Sequence, residues 1–187
     1  MLARELHVAG RGAIELLGPG DVLRPWEQDD LMQLNCTVTW RVLAPTRLAL
    51  LDDGFVECAR KWPQVSDALL GRAVRRAHSL LVNRAVISQK RLEVRILMLF
   101  WHLAERWGRM HADGSVGLSL PLTHKAIGLV AGAERPSVST ALGRLAAEGL
   151  VTHEGGEWVL SRSAVDHVEF VMAAMDEGEE PVTVPDD

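Results

Sequence analysis

The chain has no tyrosine, three phenylalanines and two cysteines, and these shortages exclude several classes of protein. Cys36 and Cys58 cannot by themselves ligate a four-cysteine zinc or iron–sulfur site, so both are interpreted as ordinary core or surface thiols. No uninterrupted apolar run is longer than the six residues 96–101, which is far too short to cross a bilayer. Because Arg4 and Glu5 stand where a secretory signal needs an apolar segment, we expect a cytoplasmic protein with no membrane partner.

Sequence motifs of catalysis and metal binding are also missing. The seven histidines are spread singly, and none belongs to an H-E-x-x-H motif. The chain contains neither a G-x-S-x-G nucleophile motif nor a Gly-rich phosphate loop. We therefore expect no enzymatic activity, no catalytic residues, no metal site and no cofactor.

The formal net charge of −5 is distributed unevenly. Residues 164–187 contain eight acidic residues and no Lys or Arg, which leaves residues 1–163 with a net charge of +3. Residues 176–187 are predicted to form a solvated, disordered acidic tail. The negative total therefore does not exclude binding of the body of the chain to nucleic acid.

Residues 122–145 are the most informative stretch, because they have the pattern of two short helices around a Gly-containing turn. Thr123 is a good N-cap for the first helix, and Gly132 is a good stop signal. Pro136 falls in the first turn of the second helix, where a missing N–H is tolerated. The apolar residues of the second helix share one side and are Val138, Ala141, Leu142 and Leu145. This pattern predicts a helix-turn-helix.

The opposite side of the second helix carries Arg135, Ser139, Thr140 and Arg144, with no acidic residue between the two arginines. Short polar and Arg side chains of this kind suit close approach to bases and phosphates. Gly149 should end the helix, and two β-rich runs around Gly155 and Gly156 then predict a β-hairpin. A helix pair followed by a hairpin is typical of a winged helix-turn-helix. The alternative is a small helical domain whose hairpin covers an apolar face.

The remaining segments predict further strands and helices, so the expected fold class is α+β. Short β-type runs at 13–17, 37–43 and 47–51 predict a partial N-terminal antiparallel β-sandwich within residues 1–62. A helix that is apolar nearly all round should begin near Lys90 and stop at Gly108, followed by a loop or short strand. The winged domain is assigned to residues 90–175, with a last helix, capped by Ser161 or Ser163, that runs to Met175. Trp40, Trp101 and Trp158 are expected in the core.

Residues 63–89 predict one long helix with a broad apolar stripe on one side. Its members are Leu70, Ala73, Val74, Ala77, Leu80, Leu81 and Ile87, interrupted by Arg84. Small Ala73 and Ala77 would let two helices approach closely, so we interpret the segment as a dimerisation helix. The alternative is an amphipathic helix that lies with this stripe on its own sheet.

The order of these elements resembles that of the Crp/Fnr family of bacterial transcription regulators. Residues 17–22, Leu-Gly-Pro-Gly-Asp-Val, look like the turn of the family's cyclic-nucleotide-binding-like barrel. Residues 99–104, Leu-Phe-Trp-His-Leu-Ala, look like the helix after the dimerisation helix, and residues 123–145 look like the family's helix-turn-helix. The resemblance implies a homodimeric DNA-binding protein.

Residue by residue, the resemblance implies a set of DNA contacts. Arg135 matches a position that reads guanine, and Ser137 and Thr123 match positions that contact phosphate. The predicted DNA-binding set is Thr123, His124, Lys125, Arg135, Ser137, Ser139, Thr140 and Arg144. Pro136 replaces a base-reading Glu and Thr140 replaces a second Arg, so the best-known operator of the family should not be recognised. Glu134 would place a carboxylate near phosphate.

The effector side departs further from the family. Cys36 and Thr37 stand where cyclic-nucleotide binders carry an Arg and a Ser or Thr, and a neutral thiol cannot neutralise a cyclic phosphate. Only about 60 residues precede the long helix, roughly half of what the family uses, so either the first strands were lost or Met1 is internal to a longer product. Cyclic AMP is therefore not expected, and the cofactor-binding residues and effector are unknown.

The sequence thus predicts a homodimeric transcription regulator whose partners are double-stranded DNA and, as a further candidate, RNA polymerase. The competing hypothesis is a small-molecule-binding or protein-interaction module whose winged helix does not bind DNA. The operator and the direction of regulation cannot be deduced from the residues.

Overall fold

The computed structural model describes residues 1–23 and 36–168. The chain divides into two compact units, of which the first comprises residues 1–88 and 123–134 and the second comprises 89–122 and the residues from 135 onward. The predicted acidic tail, 176–187, and the predicted last helix beyond residue 168 lie outside the described residues. No helix in the described ranges is both long and apolar enough to span a membrane.

A three-stranded antiparallel sheet begins the first unit. Its strands are β1 (Leu2–Val8), β2 (Arg11–Leu17) and β3 (Cys36–Val42), in the order β2-β1-β3. Leu2 on β1 lies opposite Leu17 on β2 and Val42 on β3. The turn between β1 and β2 has positive φ at both central residues, Ala9 and Gly10, as a two-residue hairpin requires. The strands predicted around 13–17 and 37–43 are confirmed.

The strand predicted at residues 47–51 is wrong. After the amide of Ala44 donates to the Met1 carbonyl at 3.2 Å, residues 45–51 continue without regular structure. Leu48 and Leu50 are exposed in this segment. Apolar residues adopt a strand only where a neighbouring strand can pair with them, and none of the described strands lies beside this segment.

Two helices follow. The short helix α1 (Asp53–Ala59) was not predicted, although Asp52 caps it by accepting a hydrogen bond from the Phe55 amide at 2.9 Å. The long helix α2 (Pro63–Ile87) spans 25 residues and matches the predicted long helix.

The side of α2 that faces the rest of the first unit combines polar side chains with apolar ones, of which Val86 is buried. Arg76 donates through Nε and Nη2 to the two carboxylate oxygens of Glu15 on β2, at 2.5 and 2.9 Å. Arg72 Nη1 donates to the Gly20 carbonyl at 2.9 Å. Most of the stripe is left exposed, with Leu70, Val74, Leu80 and Leu81 between 42% and 68% accessible, whereas Ile87 at its end is half-buried. The alternative in which the stripe packs on its own sheet is therefore wrong.

The helix α4 (His124–Ala131) completes the first unit by packing against β2 and α2. Asn83 Nδ2 on α2 donates to the Val130 carbonyl at 3.5 Å. The buried side of α4 contains Ala126, Ile127, Val130 and Ala131. The sequence-based limits group residues 90–175 as one domain, whereas the compact units place 123–134 with the N-terminal sheet.

The second unit contains α3 (Leu92–Trp107), β4 (Arg109–Met110), β5 (Val116–Leu118), α5 (Arg135–Ala147), β6 (Val151–Glu154) and β7 (Glu157–Leu160). The strands form one sheet in the order β4-β5-β7-β6. The central helix α3 buries Ile96, Leu97, Leu99, Phe100 and Leu103, as predicted. Residues 162–168 are helical after Ser161, whose Oγ accepts from the Ala164 amide at 3.2 Å.

The three tryptophans expected in the core differ from one another. Trp158 is buried, with its ring centroid 5.2 Å from that of Phe100. Trp101 is half-buried, and Trp40 is 37% exposed. The expectation is wrong for Trp40, because β3 is an edge strand and residues 37–42 are exposed on both of its sides.

Candidate nucleic-acid interface

The candidate interface begins at the N-terminus of α4. Thr123 is the N-cap, with extended φ and ψ, and its Oγ1 accepts a hydrogen bond from the Ala126 amide at 3.2 Å. Thr123 and Lys125 are exposed and His124 is half-buried. The positive end of the helix macrodipole and the Lys125 ammonium therefore share one turn that is favourable to an anion.

Gly132 ends α4 in the left-handed conformation, with φ of 64°. The Ala133 amide donates to the Gly128 carbonyl at 2.9 Å, which closes the helix end. A β-carbon at Gly132 would lie 3.1 Å from Cγ2 of Ile87, so both backbone and space favour glycine here. Only three residues then separate α4 from the start of α5 at Arg135.

The helix α5 has the predicted two-sided character. Its buried side consists of Val138, Ala141, Leu142 and Leu145, and each is at most 6% exposed. Gly149 has a φ of 66°, and the Leu150 amide donates to the Leu145 carbonyl at 2.8 Å, so the helix stops where predicted. With one side fixed in the core, the other side has a defined orientation toward solvent.

The exposed side of α5 carries the predicted polar residues. Arg135, Ser137, Thr140 and Arg144 are exposed, and Ser139 is half-buried. Ser139 Oγ donates to the Arg135 carbonyl at 3.1 Å, and Thr140 Oγ1 donates to the Pro136 carbonyl at 3.2 Å. With their protons used inside the helix, these hydroxyl oxygens are acceptors toward the outside, whereas the Arg135 guanidinium is a donor.

Arg144 has a partner that sequence reasoning missed. Its Nη1 donates to Oε1 of Glu93, in the first turn of α3, at 2.6 Å. The hydrogen bond from the backbone amide of Glu93 itself, followed by the one from Arg144, lowers the pKa of the Glu93 carboxyl. The two residues are 51 positions apart, so no local pattern could have paired them.

The hairpin of β6 and β7 forms the predicted wing. Gly155 and Gly156 both have positive φ, as a two-residue turn requires. The tip is acidic, because Glu154 and Glu157 flank the glycines and residues 151–160 contain no Lys or Arg. Glu157 Oε1 accepts from Ser119 Oγ at 2.7 Å. The wing therefore adds no positive charge to the α5 surface.

The base of the wing is anchored by Trp158. Its Nε1 donates to the Leu122 carbonyl at 3.3 Å, and its ring centroid lies 4.3 Å from that of His153 on the neighbouring strand. These contacts fix the hairpin to the segment that directly precedes α4 along the chain.

A small polar cluster stabilises the turn between β4 and β5. Ser115 donates from Oγ to Asp113 Oδ1 at 2.7 Å and from its amide at 2.9 Å, and His111 Nδ1 lies 3.1 Å from Ser115 Oγ. The hydroxyl and then the amide of Ser115 lower the pKa of Asp113. Residues 1–23 and 36–168 contain no cluster of three His, Cys, Asp or Glu suited to a metal.

The structure places the eight predicted residues in two groups. Thr123, His124 and Lys125 share the first turn of α4 in the first unit. Arg135, Ser137, Ser139, Thr140 and Arg144 share α5 in the second unit. The geometry connects Glu93 to this set through its ion pair with Arg144.

Comparison with protein families identifies the segment that runs from α3 to the end of the wing. Residues 94–164 match the Crp-like helix-turn-helix domain. A search of curated proteins found no match.

Solved structures extend the likeness to nearly the whole chain. A cyclic nucleotide-binding domain containing protein from Listeria monocytogenes is 17% identical with a TM-score of 0.64, over 87% of this chain and 77% of that one. FixK2 from Bradyrhizobium japonicum is 17% identical with a TM-score of 0.59, over 89% and 82%. A CRP/FNR family transcriptional regulator from Thermus thermophilus is 19% identical with a TM-score of 0.53, over 90% and 84%.

The fold is therefore of the α+β class, and its C-terminal part contains a Crp-like helix-turn-helix. The particular resemblance found in the sequence is confirmed, because the chain has the fold of Crp/Fnr transcription regulators.

Proposed function

We propose that this chain is a homodimeric, DNA-binding transcription regulator of the Crp/Fnr type, and not an enzyme. The observation that carries the proposal is the exposed side of α5, where Arg135, Ser137, Thr140 and Arg144 project from a helix whose other side is buried. A helix with this arrangement fits the major groove, where its first turn contacts base edges.

The residues take different roles in this proposal. Arg135 reads a guanine, because its forked guanidinium matches the N7 and O6 acceptors. Thr123, His124, Lys125 and Ser137 bind phosphate, and Ser139, Thr140 and Arg144 line the groove beside Arg135. Such a protein acts where the chromosome is, in the cytoplasm of a bacterial cell.

The dimer is formed through α2. Its exposed leucines and valine, together with small Ala73 and Ala77, supply an apolar side for a second copy. Two recognition helices related by the dimer axis would bind half-sites about 34 Å apart. RNA polymerase is a further candidate partner.

The experiment compares Arg135→Ala with Arg162→Ala, which removes an equal charge from an exposed arginine outside α5. Operator fragments are first selected from genomic DNA, and affinities for the operator, its single-base variants and random duplex are measured by fluorescence anisotropy. Arg135→Ala should reduce discrimination at one base pair by about 1–3 kcal/mol, whereas Arg162→Ala should not. Equal weakening on all sequences would make Arg135 a phosphate contact instead.

The competing function, a winged module that binds a small molecule or protein but not DNA, predicts no micromolar binding to random duplex at low salt. The same titration therefore separates the two hypotheses. Cyclic AMP is not expected to bind, and a calorimetric titration with one tight site per chain would contradict that expectation.

A further inference from the structure

The ion pair between Arg144 and Glu93 lies at the edge of the proposed DNA surface. Arg144 is near the end of α5 and Glu93 is in the first turn of α3, and both belong to the second unit. Their side chains differ in exposure, with Arg144 66% and Glu93 20% accessible. The arginine therefore extends into solvent, while the carboxylate is held close to the protein.

Glu93 remains anchored whether or not Arg144 is bound. It lies at the positive end of the α3 macrodipole, and its carboxylate accepts a hydrogen bond from its own backbone amide. Arg91 adds a further favourable charge, and these contacts together lower the pKa of Glu93, so it is ionised at neutral pH. The Glu93 carboxylate thus has stabilising contacts of its own, while most of the Arg144 side chain is exposed.

A DNA phosphate and the Glu93 carboxylate compete for the same guanidinium. We propose that Glu93 sets the DNA affinity of this regulator by retaining Arg144, so that this arginine adds little sequence-independent attraction to phosphate. The inference rests on the proposed function. Because attraction to phosphate is independent of sequence, restraint of one arginine lowers the affinity for operator and random duplex alike.

The test uses the full chain and four variants in anisotropy titrations with random duplex and operator DNA over a range of salt. Glu93→Gln keeps the shape but removes the charge, and Glu148→Gln is the matched control, because it removes an exposed carboxylate from the same unit. Arg144→Ala and the Glu93→Gln/Arg144→Ala double variant complete a double-mutant cycle, which measures the coupling between the two residues. Thermal unfolding confirms that each variant is folded.

Glu93→Gln should raise affinity for both duplexes by up to about fivefold per protomer, which is the range for an exposed ion pair. The slope of log affinity against log salt should steepen by about 0.9 per protomer. Arg144→Ala should remove this gain in the Glu93→Gln background, so that the double variant binds both duplexes no more tightly than Arg144→Ala alone.

Equal gains from Glu93→Gln and Glu148→Gln would overturn the inference, since only total charge would matter. An equal loss from Arg144→Ala in both backgrounds would overturn it as well, because Arg144 would then already contact phosphate. Both results leave the proposed function intact. If the wild-type chain binds neither duplex, the proposed function itself fails and this inference fails with it.

Discussion

Leu81→Glu tests whether the exposed side of α2 is a dimer interface. Full burial of a leucine contributes about 1.5–3 kcal/mol, and Leu81 is 68% exposed, so a partner helix could remove about two-thirds of it from water. The loss is then about 1–2 kcal/mol per protomer. A two-fold interface contains the substitution twice, which gives about 2–4 kcal/mol, or a roughly 30- to 700-fold weaker dimer.

Sedimentation equilibrium over a range of protein concentrations measures the dimer dissociation constant directly. Leu48→Glu is the matched control, because Leu48 is also 68% exposed but lies in the irregular segment 45–51 rather than on α2. The control should leave the dissociation constant within about twofold of wild type. A similar shift in both variants, or a Leu81→Glu dimer as strong as wild type, would refute the assignment of α2 as the interface.

Two further predictions concern the second unit. Phe100→Ala, at a fully buried ring that contacts Trp158, should lower the free energy of unfolding by about 3–5 kcal/mol in urea denaturation, and a loss under about 1 kcal/mol would contradict the packing. The lowered pKa of Asp113 implies that its stabilising contribution is present above its ordinary pKa of about 4 and is lost as pH falls through the lower folded value. Asp113→Asn should therefore be less stable than wild type at pH 7, and the difference in thermal unfolding should narrow as the pH falls below about 4; a difference that stays constant would argue against the assignment.

Local signals explain why so much of the helix-turn-helix was predictable. A capping hydroxyl at Thr123 and left-handed glycines at 132 and 149 act within four or five residues, so the sequence alone specifies where each helix begins and ends. The paired glycines of the wing are an equally local signal, because their positive φ specifies the turn between β6 and β7. The exposed set on α5 followed from the helical period once its ends were known.

The features that the sequence did not predict have a common cause, because each depends on contacts between residues that are distant in sequence. The segment 47–51 has strand propensity but no strand to pair with, and Trp40 has a core residue's chemistry but lies on an edge strand. The pair of Arg144 with Glu93, and that of Arg76 with Glu15, join residues 51 and 61 positions apart. Periodicity describes which residues share a side of a helix, but not what faces that side.

The hydrogen bonds that α2 makes within the first unit have a mechanical consequence. Arg76 and Asn83 connect one helix to β2 and to α4 through hydrogen bonds, which depend on direction far more steeply than apolar contacts do. A purely apolar contact would let the strand and the two helices slide past one another with little change in energy. Here a shift of β2 must either carry α2, and with it the leucine-rich stripe, along or break the Arg76 contacts.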